Sequence, residues 1–335
     1  MFDSNSDDFN LPYENRHPDY IQMNIYQSIL TSHLSLIPDF DMFASNPRDH
    51  WPTYHALLRC LSPGPLLLSD TPDTETDKAL LAKMTAKTRS GRLKAVKTDS
   101  PAQALPGRWF WDNLQGEQDG PATLAYVKVP SAQGTIIGAW NCRRTGTSSV
   151  ARDRIFLQDL EDALEVDQLD GEYALWSVGH SGRNGRRVEL FRPGSPAEMP
   201  LELEKAECEA IIIAKVWEVK GQKVAVVGML DKFAPLARLQ VSVQGGEQSL
   251  SRSAASSDSA PDELKIRTEF ASDQLSVLVF GDSKPSASFM VDGNAVASAP
   301  WIESVRGAWL LSVTVGVEGQ MTSGEGAWEV QLVLG

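Results

Sequence analysis

The feature that most constrains this chain is a series of short apolar segments in its first hundred residues, alternating with helix-like stretches and closing on acidic or polar side chains. Pro18 sits where a helix can begin, since the first turn makes no use of the missing N–H. Ile21, Ile25, Ser28 and Ile29 then fall on one face, with Leu30 beside them. The segment Leu34-Ser35-Leu36-Ile37 reads as a strand running into Pro38-Asp39-Phe40-Asp41. A second helix is expected from Pro47 to Leu61, with Trp51, Tyr54, His55, Leu58 and Leu61 recurring every three or four residues. Pro65 to Asp70 reads as another buried strand with a polar end, and Asp77 to about Lys87 as a third helix with Leu80, Leu81 and Met84 apolar. Continuous apolar strands between helices are the pattern of a parallel α/β sheet covered on both faces. In a (β/α) barrel the C-terminal strand ends carry the chemistry.

From about residue 105 the pattern changes to short β-type runs broken by Gly, Pro, Ser and Asn. Candidate strands are Ala122–Val129, Thr135–Asn141, Tyr173–Val178, Ala210–Val219, Lys223–Leu230, Leu264–Phe270, Leu275–Phe280 and Trp309–Val315. Their spacing suits an antiparallel β-sandwich. The fold class expected is therefore α/β plus all-β, with one domain over residues 1–100 and a second over 105–335; 335 residues suffice for both. Residues 245–261 are low in complexity and read as a loop. Arg183-Asn184-Gly185-Arg186-Arg187 reads as a hairpin turn. The tryptophans spread over the β region read as core.

The net charge of -13 and the pI near 4.9 argue against nucleic acid or an anionic membrane surface as a partner. They suit a neutral ligand such as a sugar. No apolar run has the length that crosses a bilayer. The three cysteines, Cys60, Cys142 and Cys208, include no CxxC pair and form no disulfide framework. That reading points to no metal site, to a reducing compartment and to a cytoplasmic location. Cys60 on its helix reads as a small buried apolar group. The polar, acidic start is not a signal peptide. Nothing in the sequence sets an oligomeric state.

Three acidic clusters stand at barrel-like strand ends: Asp7-Asp8, Asp39 with Asp41, and Asp70. Cleaving a glycoside needs two carboxyl groups, about 5–5.5 Å apart in retaining enzymes, one attacking and one protonating the leaving oxygen. Each candidate has a plainer reading. Paired aspartates in polar loops are ordinarily solvated or cap helices. Asp39 and Asp41 point to opposite faces if extended, so one reaches a sugar or both brace the loop. His55 is either a packing histidine or a substrate contact, and Trp51 either core or a sugar-stacking wall. Asp70 either binds substrate or caps the next turn.

Five segments carry a resemblance, in order and at matching separations. They are Ser6-Asp7-Asp8-Phe9, Pro38-Asp39-Phe40-Asp41-Met42-Phe43, Tyr54-His55-Ala56-Leu57-Leu58-Arg59-Cys60, Ser62-Pro63-Gly64-Pro65 through Ser69-Asp70, and Gly138-Ala139-Trp140-Asn141-Cys142. Together they resemble the C-terminal half of family 36 glycoside hydrolases of the raffinose synthase and seed imbibition type. The resemblance implies retaining α-galactosidase chemistry on α-galactosides, no cofactor, and a (β/α)8 barrel followed by a β-sandwich. It implies Asp8 as the acid/base, with Asp7, Asp39, Asp41, Trp51, His55 and Asp70 as substrate contacts. An arginine stands four residues ahead of the family's acid/base; Ser4 holds that position here. The family's nucleophile follows a Lys-x-Asp motif on an earlier barrel strand, whose counterpart falls ahead of Met1. The expectation is a truncated or fragmentary barrel, inactive alone. Two alternatives stand beside hydrolysis: galactosyl transfer to a sugar, and a non-catalytic remnant that binds sugar or protein.

Overall fold

The computed structural model describes residues 2–4, 16–108, 121–143, 150–180, 186–244, 263–296, 301–305, 307–316 and 326–334. Over these the fold is mostly β, with four α-helices among the described residues. The first part runs β1 (Phe2–Ser4), α1 (Arg16–His33), β2 (Ile37–Asp39), β3 (Met42–Phe43), α2 (Pro52–Cys60), β4 (Leu67–Leu68) and α3 (Lys78–Met84). β1 pairs in parallel with β2, and β3 in parallel with β4. The chain thus forms two short βαβ units, the connection that parallel pairing requires.

Four boundaries depart from the sequence expectation. Leu34-Ser35-Leu36 is not strand, because it closes α1. Ser35 takes a left-handed φ of 55°, and the N–H groups of Ser35 and Leu36 donate to Ser32 O and Thr31 O at 3.0 and 2.8 Å. This satisfies the last helical carbonyls and delays the strand to Ile37. Pro65 to Asp70 yields only two strand residues, and they are not buried: Leu67 and Leu68 are 47% and 48% exposed, since β4 has a strand partner on one side alone among the described residues. The third helix stops at Met84 rather than Lys87, because Thr85–Lys87 pairs with Leu93–Ala95 as a hairpin. Its start is as expected, with Asp77 as N-cap accepting from Leu80 N at 2.9 Å. The helix expected from Pro47 starts at Pro52, after a turn in which Trp51 N donates to Asp49 Oδ1.

The rest is antiparallel. Ten strands form one sheet around the twelve-residue Cys208–Val219 strand. Its first half pairs with Gly134–Trp140 and its last residues with Gln222–Met229, while Tyr173–Ser177 joins it at Ile211 to Lys215. Five further strands, from Leu239–Gln244 to Trp328–Leu334, form a second sheet. Val226 and Leu278 of the first sheet share a core with Ile266 and Leu332 of the second. Each of the eight strands expected beyond residue 105 is present, with ends shifted by a few residues. Tyr173–Ser177 and Arg187–Phe191 pair as the expected hairpin. Residues 181–185, the stretch 245–261 expected as a loop, Trp109 and Trp111 lie outside the described residues.

A buried guanidinium pins the helix α4 (Leu157–Leu164) in place. Arg108 donates to Asp159 through Nε at 2.7 Å and Nη2 at 2.6 Å, and to Asp153 through Nη1 at 2.9 Å. Burial disfavours the charged form, but the two carboxylates outweigh it and the Arg108 pKa is raised.

The α/β part is welded to the β part. Trp140 Nε1 donates to Tyr54 O at 2.9 Å, and Tyr54 Oη donates to Asn141 O at 2.9 Å. Gly138 makes this approach possible. A Cβ there would lie 2.2 Å from the Trp140 ring and 2.9 Å from Leu61, inside any van der Waals contact.

Candidate active site

The parallel register sets Ser4 opposite Asp39. β1 and β2 run the same way, so their C-terminal ends, Ser4 and Asp39, lie at one edge. Asp7 and Asp8 themselves lie outside the described residues.

Asp39 and Asp41 are brought together. Asp41 N donates to Asp39 Oδ1 at 3.1 Å. Asp41 takes a left-handed φ of 55°, so the two are not on opposite faces of an extended strand, as alternation predicts; the chain turns a corner between β2 and β3. Both are half-buried.

Arg59 holds that corner from beneath. Its Nη2 donates to Phe40 O at 2.5 Å and to Met42 O at 2.7 Å. Tyr20 Oη donates to the same Phe40 carbonyl. The guanidinium is buried, and its pKa falls through burial, opposed by Tyr20, Asp41 and Asp39. It also lies over the rings of Phe43 and Tyr20. The Phe40 side chain, where the resembled motif has Trp, is 2% exposed and belongs to the core.

Asp70 reaches back across the β3–β4 pair. Its Oδ1 accepts from Ser45 N at 2.7 Å and its Oδ2 from Ser45 Oγ at 2.6 Å. Ser45 Oγ in turn accepts from Asp77 N at 3.0 Å. The carboxylate braces the two strand ends instead of capping the turn that follows it.

Trp51 and His55 are buried, 3% exposed each. His17 lies flat on Trp51, with ring centroids 4.2 Å apart and planes within 3°. His17 Nδ1 and His55 Nε2 share a hydrogen bond of 2.8 Å. Burial, Arg59 and His17 together hold His55 well below the usual histidine range, as neutral imidazole. The cavity beside these rings measures about 10 Å³, the space of one water and not of a sugar. In this arrangement Trp51 offers no open face.

The sequence expectations leave out His17, Tyr20, Arg59 and Ser45 as site-builders. For α1 a signal exists: His17, Tyr20, Asn24, Ser28 and Thr31 are all buried and recur at helical spacing. Arg59 is signalled by its place at the end of an otherwise apolar helix.

Chemically, this edge offers carboxylates at parallel strand ends, set by a buried cation and two carbonyl contacts. Such groups accept hydrogen bonds from the hydroxyls of a neutral polar ligand. Among the described residues, no three His, Cys, Asp or Glu side chains converge as metal ligands. No described helix is long and apolar enough to cross a membrane. The cysteines are buried and unbridged, and burial raises the Cys60 thiol to about 12.

Comparison with known proteins adds three findings. Residues 16–253 match the family described as raffinose synthase or seed imbibition protein Sip1. Probable galactinol–sucrose galactosyltransferase 6 of Arabidopsis thaliana is 27% identical over 243 residues, which is 68% of this chain and 30% of that protein. The chain therefore spans under a third of the length of this relative. Among solved structures, α-galactosidase I from Mortierella vinacea aligns with a TM-score of 0.33 at 13% identity, over 53% of this chain and 39% of that one.

Proposed function

The chain belongs to the raffinose synthase or seed imbibition protein family, and from that premise we propose that it forms the acid/base side of a retaining site for α-galactosides. The observation that carries this reading is the register of Ser4 against Asp39. It brings Ser4, four residues ahead of Asp8 in the sequence, to the strand edge that carries the Asp39–Asp41 corner.

In this reading Asp8 protonates the leaving glycosidic oxygen, then takes a proton from the incoming acceptor. Asp7, Asp39 and Asp41 accept hydrogen bonds from galactose hydroxyls. Asp70 acts through Ser45, holding β3 and β4 in place beneath the sugar. His17, Trp51 and His55 support the corner from behind and meet substrate only where the edge opens. The nucleophile corresponds to no position among residues 1–335. The two βαβ units are then part of a (β/α)8 barrel, residues 1–100, and the two sheets over one core are a β-sandwich, residues 105–335. Assembly in the cytoplasm belongs to the same proposal.

Transfer is the second reading. The name of the Arabidopsis relative, a galactosyltransferase acting between galactinol and sucrose, favours a sugar over water as acceptor. Product analysis with galactinol, in the presence and absence of sucrose, separates the two. A trisaccharide product supports transfer, and free galactose alone supports hydrolysis.

A further inference from the structure

A cleft of about 320 Å³ opens between the Thr85–Lys87/Leu93–Ala95 hairpin and the outer face of the five-stranded sheet. That is the size of a small-molecule site, roughly 300 Å³ and upward. It lies apart from the Asp39–Asp41 corner and shares no lining residue with it. Its charge is opposite to that of the chain. The protein carries -13 overall, yet the described lining holds Arg89, Lys94, Arg238 and Arg267 against the single carboxylate of Glu269.

The cations are differently committed. Arg89 is fixed, with Nη1 on Ala327 O and Nη2 on Asp292 Oδ2, both at 2.8 Å. Arg238 stands in a left-handed backbone conformation, φ 57°, uncommon for a side chain of its size. Its ion pair among the described residues, at 2.8 Å, is with Asp99, which is 71% exposed and so contributes little. Arg267 and Lys94 are exposed and make no ion pair among the described residues. Glu329, opposite Arg267 in the sheet, leans to Lys265 at 3.7 Å instead.

We propose that this cleft binds a small phosphomonoester of a polyol or sugar. Arg238, Arg267 and Lys94 line one cleft beside the fixed Arg89, and guanidinium and ammonium donors match the oxygens of a dianionic phosphate. A neutral galactoside would leave these charges unanswered. Glu269 and Gln240, in the same lining, accept from and donate to hydroxyls, which gives the uncharged end of the ligand its partners.

The test is isothermal titration calorimetry of the 335-residue chain at about 50 mM salt, where surface charge is weakly screened. The titrants are sorbitol 6-phosphate, sorbitol and inorganic phosphate. The ester is expected to bind, sorbitol to give no heat, and inorganic phosphate to bind about tenfold or more weakly than the ester. Arg267→Gln and Lys94→Gln change exposed side chains, and circular dichroism checks that each variant folds. Each is expected to weaken the ester by about tenfold, the loss of one charge-assisted contact. No binding of the ester, or binding that both variants leave unchanged, would overturn the proposal. Inorganic phosphate binding as tightly as the ester would overturn the hydroxyl-reading role of Glu269 and Gln240. Binding is read here without turnover, so a failure leaves the galactoside reading intact.

Discussion

The indole of Trp140 donates through Nε1 to the backbone carbonyl of Tyr54 at 2.9 Å, a bond that ties the second helix of the α/β part to the large sheet. The hydroxyl of Tyr54 returns the contact on the Asn141 carbonyl, with Cys142 Sγ 3.2 Å away. Both side chains are fully buried, so neither bond has water to replace it. Trp140→Phe removes the indole N–H and leaves a void beside Gly138. The expected cost is about 1–3 kcal/mol, read as a lower urea midpoint. An unchanged midpoint would show that the two parts do not depend on this joint.

Folding stability should fall on mild acidification because of His55. In the folded chain its pKa is depressed, while the unfolded chain has an ordinary histidine near 6.5. Above that pH both states hold it neutral. Below it, the unfolded state gains a proton that the folded state refuses. Stability therefore declines as pH drops under about 6.5, by up to about 1.4 kcal/mol per pH unit from this group. Thermal midpoints at pH 7.5, 6.5 and 5.5 measure the slope. His55→Gln, which keeps a polar side chain facing His17, should lessen the slope without abolishing it, because burial holds His180 down to about 3 as well; an unaltered slope would mean that His55 is not a group responsible.

Asp39→Asn and Asp70→Asn should separate ligand contact from bracing. Asp39 keeps an acceptor for Asp41 N as asparagine, so stability should hold within about 0.5 kcal/mol while galactoside binding weakens. Asp70→Asn sets an amide against Ser45 Oγ, which already accepts from Asp77 N. The expected cost is about 1–2 kcal/mol of stability. Chemical denaturation beside galactoside affinity tells them apart. The reverse pattern would exchange their roles.

The Arg108 triad should be costly to break and tolerant of replacement as a unit. Asp153 and Asp159 are nearly as buried as the guanidinium between them. Arg108→Ala leaves two buried carboxylates without their cation, an expected loss of about 3–5 kcal/mol. Arg108→Met with Asp159→Asn and Asp153→Asn should recover part of it. A single variant as stable as the parent would show that the carboxylates find water instead.

Much of the β region is legible from local pattern, because β-branched runs between Gly, Pro and Asn turns report strand existence without long-range information. The helix-to-strand boundaries of the first part are not. Leu34 and Leu36 have the character of strand residues, yet capping of α1 consumes them. Leu67 and Leu68 look like a buried strand, but burial depends on a covering neighbour, which no local pattern reports. The candidate site divides in the same way. The carboxylates stand out as acids after apolar runs, whereas the groups that hold them come from far along the chain. Ser45 meets Asp70 across 25 residues and His17 meets His55 across 38. Such pairings are properties of the packed structure.

The most direct measurement is turnover of an aryl α-galactoside by the longest polypeptide that the gene encodes through these residues, with and without Asp8→Asn, beside the 335-residue chain. The account predicts turnover that drops by about 10²–10⁴ on Asp8→Asn, the usual weight of a general acid/base, and only background from the 335-residue chain. Turnover that survives Asp8→Asn, or none from the longest form, would contradict it.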